Sequence, residues 1–81
     1  MLEEVREILS VTLKLGNRAA SLTAATPLLG NLPELDSMAV VSVITALEEH
    51  YGFTVSDDEI AAETFETLGT LADFVKGKLG R

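Results

Sequence analysis

Apolar residues recur along this chain at the spacing of helices, in blocks separated by stretches without period. At 100° per residue, Leu2, Val5, Ile8, Leu9, Leu13 and Leu15 fall on one side of a first helix. Glu3 and Glu4 suit its first turn, and Leu15-Gly16-Asn17 is a stop. Residues 17–35 form a long connection rich in Thr, Ala, Gly and Pro, whose Leu22, Leu28, Leu29 and Leu32 predict that it packs down on the helices. A second helix runs from about Ser37 to Tyr51 and ends at Gly52. Ser56-Asp57-Asp58-Glu59 has the spacing of a capping box and signals a short third helix. Thr67 caps a fourth, with Leu68, Leu71, Val75 and Leu79 along one face. Phe53 and Val55 read as a packed connector rather than a strand. The fold class is all-α, a four-helix bundle with a long loop between helices 1 and 2 and a short third helix. Residues 1–81 form one domain, with no internal repeat or linker.

The second helix carries the most specific detail. Val40, Val43, Ile44, Leu47 and Tyr51 project into one arc, the core face, with Val41 at its edge. Met38 projects to the opposite side, among Ser42, Thr45, Ala46 and Glu49, so an apolar side chain stands exposed near the helix start. Asp36 is a good N-cap, which leaves the hydroxyl of Ser37 free in the first turn. A helix N-terminus presents unpaired N–H groups and the positive end of the macrodipole, a setting that favours a side chain bearing phosphate. Asp-Ser by itself also starts many ordinary helices.

Charge and composition narrow the function classes. The chain has no cysteine, hence no disulfide, thiolate metal site or thiol nucleophile. Net charge is −7, and the basic residues Arg6, Lys14, Arg18, Lys76, Lys78 and Arg81 all lie near the ends. Ten acids and no Lys or Arg occupy residues 19–75, which argues against nucleic-acid binding, since phosphate contacts need cations. An acidic middle suits partners with basic docking patches, or serves solubility alone. Apolar runs such as residues 38–44 are too short for membrane insertion, and no signal segment opens the chain, so the cytoplasm is the expected location. His50 has no second histidine or cysteine with which to build a metal or catalytic site. Residues 57–59 lack the alternating oxygen ligands and turn glycine of a calcium loop. No catalytic or metal site is therefore expected.

Leu35-Asp36-Ser37-Met38, continued through Leu47-Glu48-Glu49-His50-Tyr51-Gly52, resembles the attachment-site helix of acyl carrier proteins. Thr26-Pro27-Leu28-Leu29-Gly30 is similar to the loop before that site, and residues 56–59 and 67–75 resemble the last two helices, so the likeness covers nearly the whole chain. The resemblance implies that Ser37 receives 4′-phosphopantetheine from coenzyme A, with Asp36 as the adjacent cap, through a magnesium-dependent phosphopantetheinyl transferase. Acyl or aminoacyl groups would then ride as thioesters on the arm of a bacterial, monomeric carrier. Its partners would be an acyl-loading ligase or acyltransferase and downstream synthase enzymes of fatty acid, specialised lipid or polyketide biosynthesis. Met38, Val41, Glu48 and Glu49 would meet those partners. The chain departs from fatty-acid carriers at Met38, usually leucine, and at Ala39 and Ser42, where acids are frequent. Those departures point to a dedicated pathway, and the central stretch also resembles free-standing carriers encoded with exosortase-type or polysaccharide export systems. The alternative is an unmodified helical interaction module that binds a partner through Met38 and Val41.

Overall fold

The structure, a computed structural model, describes residues 1–80; Arg81, counted above among the basic residues, lies outside them. Helix α1 spans Leu2–Leu13, α2 spans Ser37–Tyr51 and α3 spans Leu68–Leu79. Helix α1 packs against both α2 and α3. A 3-10 segment, Gly16–Ser21, opens the long connection, and two 3-10 turns, Asp57–Glu59 and Ala62–Phe65, occupy the place of the third helix. The four-helix architecture and its order along the chain are those read from the sequence, α3 being the fourth predicted helix.

One buried cluster joins these elements. Val5, Leu9 and Leu13 come from α1, Val43, Ile44 and Leu47 from α2, and Leu68, Leu71, Ala72 and Val75 from α3. Leu22, Leu28, Leu32 and Leu35 of the long connection complete it, together with Phe65. Burying a leucine stabilises by about 1.5–3 kcal/mol, so these four leucines offset part of the cost of ordering the connection.

Polar stitches then hold the connection in register against residues 65–69. The Leu28 and Leu29 amides donate to the Glu66 and Phe65 carbonyls, and the Leu68 and Gly69 amides donate back to the Thr26 and Ala24 carbonyls. An isolated antiparallel bridge between Pro27 and Thr67 sits in the middle of this exchange.

Three expectations need correction. Helix α1 ends two residues before Leu15, because Lys14 adopts a left-handed conformation (φ 56°) and the Leu15 amide donates to the Ser10 carbonyl at 3.0 Å. That pairing is a Schellman stop, and it turns Leu15 into the core as the apolar residue after the cap. Leu29 is not packed down but 44% exposed. Neighbouring residues of a non-helical segment point to opposite sides, and Leu28 has the inward position. The third helix is broken into two turns because Ile60 and Phe65 both face the core. Five positions apart on one α-helix they would diverge by about 140°, and extended backbone at Ala61 removes that conflict.

Both ends of this segment are held by side chains. The Ser56 amide donates to Glu59 Oε1 at 2.9 Å, half of the predicted capping box, and Lys78 Nζ donates to Glu59 Oε2 at 2.7 Å. The Lys78 ammonium, with the Ser56 amide second, holds the Glu59 carboxyl below its ordinary range. Thr67 and Thr70 cap α3 reciprocally: the Thr70 amide donates to Thr67 Oγ1 at 3.1 Å and the Thr67 amide to Thr70 Oγ1 at 3.0 Å.

Gly69 is where the connection comes closest to α3. A Cβ there would stand 2.8 Å from the Ala24 carbonyl oxygen, whereas one at Gly77 would meet nothing within 4 Å. Alanine in a helix gains about 1 kcal/mol over glycine, but overpacking against backbone costs roughly 1–3 kcal/mol. Gly77→Ala should therefore melt above the parent and Gly69→Ala below it. Two shifts of the same sign in a thermal melt would contradict the close approach.

Candidate functional site

The start of α2 gathers the exposed chemistry. Leu32 and Leu35 are buried just upstream and anchor the chain as it arrives. The Arg18 guanidinium pairs with the Glu34 carboxylate, tying the 3-10 segment after α1 to the residue two before the cap. Asp36 is extended (φ −101°, ψ −174°), and its Oδ1 accepts the Ala39 amide at 2.8 Å. The cap predicted from sequence is in place, and α2 runs from Ser37 to Tyr51 as read. It closes at Gly52, whose φ of 75° is the left-handed stop that glycine adopts without strain.

Ser37 is the first helical residue, and its side chain is exposed. Among the described residues its hydroxyl has no hydrogen-bond partner, because the cap function is already supplied by Asp36. Ser42, the other serine of α2, is engaged, since its Oγ donates to the Met38 carbonyl at 3.2 Å. The Ser37 and Met38 amides belong to the unpaired first turn, so the positive end of the helix dipole sits at the serine. An esterified phosphate fits that environment: the oxygen is accessible, the nearest carboxylate is turned into its own cap, and no basic side chain is required.

Around the serine, Met38 is 76% exposed and Val41 61% exposed, which places both on the outer surface of α2. Val43, Ile44 and Leu47 face the core as the helical projection required, with Val40 and Tyr51 half-buried beside them. The acid pair divides. Glu49 is exposed, whereas Glu48 is half-buried and its Oε2 accepts the Val55 amide at 2.8 Å, pinning the connector after α2. Sequence reading missed that internal role, because a bond to a residue seven positions on leaves no periodic trace. His50 is exposed and lies edge-on to the Tyr51 ring, 4.6 Å between centroids. No group of three or more His, Cys, Asp or Glu side chains among the described residues is arranged to hold a metal ion.

Comparison with known proteins identifies the family to which this fold belongs. The phosphopantetheine attachment site family matches residues 3–75, most of the chain. The chain is also similar to a holo acyl carrier protein from Nitrosomonas europaea whose structure was solved by NMR in solution. The two are 65% identical with a TM-score of 0.91, and the match covers 99% of this chain and 96% of that one. The chain therefore belongs to the phosphopantetheine-attachment family and is an acyl carrier protein. Its cofactor is 4′-phosphopantetheine, held covalently, and its partners include a phosphopantetheinyl transferase and biosynthetic enzymes.

Proposed function

We propose that Ser37 is the residue that takes the 4′-phosphopantetheine arm, and that the chain presents acyl or aminoacyl groups from this point to a dedicated set of enzymes. The single observation behind this reading is the Ser37 hydroxyl, exposed and unengaged at the head of α2 while Asp36 carries the capping bond. The arm supplies a terminal thiol for thioester formation, which a chain without cysteine lacks. Residues 1–81 act as one carrier domain, a cytoplasmic monomer that supports chemistry done by others and has no activity of its own. Among the described residues no helix is long and apolar enough to cross a membrane. Incubating the unmodified chain with coenzyme A and a broad-specificity phosphopantetheinyl transferase should raise its intact mass by one arm. An unchanged mass would contradict attachment at Ser37.

The loading ligase or acyltransferase and the downstream synthases are proposed to grip α2 beside Ser37. Met38 and Val41 supply apolar contact, and Glu49, with the remaining oxygen of Glu48, supplies attraction to basic patches. The first turn of α2 contains no acid, so the apolar contribution outweighs the electrostatic one at this surface. Met38→Ala should weaken binding to the loading enzyme with little change in salt dependence. The pair Glu48→Gln, Glu49→Gln should slow association at low ionic strength and lose its effect as salt screens the field. Glutamine at 48 keeps an oxygen for the Val55 amide, so the fold is not the variable being tested. Stopped-flow association across a salt series separates the two. If Met38→Ala binds like the parent while the glutamine pair abolishes binding, the apolar surface is not used.

A further inference from the structure

Away from the Ser37 end, α1 and α2 leave an open groove of about 460 Å³. Ile8 and Val11 of α1 with Ala46 of α2 supply its apolar lining, and Glu4, Glu7, Thr12 and His50 supply its polar lining. Val11 is 73% exposed, an apolar side chain that no helix of this bundle covers. Glu4 is held in place by the Tyr51 hydroxyl, which donates to its Oε1 at 3.1 Å. On α2 the helical projection sets Ala46 and His50 on one flank and Val41 and Glu48 on the other. The groove and the Val41 flank thus lie on different sides of α2, with Met38 projecting between them.

We propose that this groove docks a short amphipathic helix bearing Lys or Arg from a partner protein. Charge complementarity selects that occupant. The apolar lining takes aliphatic side chains, while the two carboxylates of α1 favour cations and repel acidic segments. Seven residues line the groove, against roughly 20–30 a side in a stable interface, so it binds weakly alone. It adds to docking at α2 by raising effective concentration, and it leaves the Ser37 face free for an active site. The inference does not depend on which residue holds the arm.

The probe is a synthetic helical peptide of leucine and lysine, about five turns long, with leucine at helical spacing. It is titrated into ¹⁵N-labelled protein, with and without the arm, beside a scrambled peptide of the same composition. Amide shifts should centre on Ile8, Val11 and Ala46 in both forms, and the scrambled peptide should bind more weakly. Glu4→Gln with Glu7→Gln should weaken binding roughly fivefold at low salt, the combined size of two exposed charge contacts. Val11→Ser, at a position too exposed to affect folding, should weaken it as well. The proposal fails if shifts centre on Met38 and Val41 or spread over Asp58, Glu63 and Glu66. Equal binding by the scrambled peptide, or unchanged binding by either variant, also overturns it.

Discussion

Ser37→Ala should leave the chain at its unmodified mass after incubation with coenzyme A and transferase, a complete loss against full labelling of the parent. The competing serines are unsuited for stated reasons. Ser21 Oγ donates to the Arg18 carbonyl at 2.7 Å and Ser42 Oγ to the Met38 carbonyl at 3.2 Å, so both hydroxyls are engaged. Ser10 is half-buried inside α1, and Ser56 begins a 3-10 turn of only three residues, too short to develop a helix dipole. The same variant should keep its melting temperature, because the capping bond from Asp36 to the Ala39 amide does not involve the serine side chain. Asp36→Ala should do the reverse in stability, costing about 1 kcal/mol as the cap is lost. Labelling of Ser37→Ala at another residue would refute the assignment, and a collapse of its melting curve would show that the serine is structural.

The second large effect is on stability. Leu47 is 1% exposed at the centre of the inner face of α2, among a cluster drawn from every helix. Leu47→Ala removes that side chain and leaves a cavity, costing about 2–5 kcal/mol. A domain of this length holds roughly 4–12 kcal/mol in total, so the variant loses a large part of it. The corresponding drop in melting temperature is on the order of 10 °C or more. Val41→Ala is the matched control, since that side chain is 61% exposed and its truncation should shift stability by no more than about 0.5 kcal/mol. Calorimetry of the pair tests the register of α2 directly. If the two variants melt together, the face assigned to the core is the wrong one.

The residues behind both effects are legible in the sequence. The cap at Asp36, the stop at Gly52, the cap at Thr67 and the inner faces of α2 and α3 are local signals, each acting within about one helical turn. Exposed Met38 beside an unengaged Ser37 follows from the same periodicity, which is why residues 35–52 alone carry the candidate site. Charge distribution adds the acidic middle but not the duties of its members. Helical projection sets Glu48 and Glu49 on different sides of α2, but only the bond to Val55 shows that Glu48 has an internal duty.

Sequence by itself therefore determined the helical order, the face each helix buries and the residue presented at the head of α2. Tertiary structure alone decided the inward turn of Leu15 after the stop at Lys14, the outward turn of Leu29 and the division of the third helix. It also decided the stitching of residues 24–29 to residues 65–69 and the ion pair of Arg18 with Glu34. Caps and periodic faces depend on neighbours a few residues away, whose identity the sequence states outright. The other features depend on which distant groups compete for one place in the core or for one carbonyl. Only packing the whole chain settles that competition.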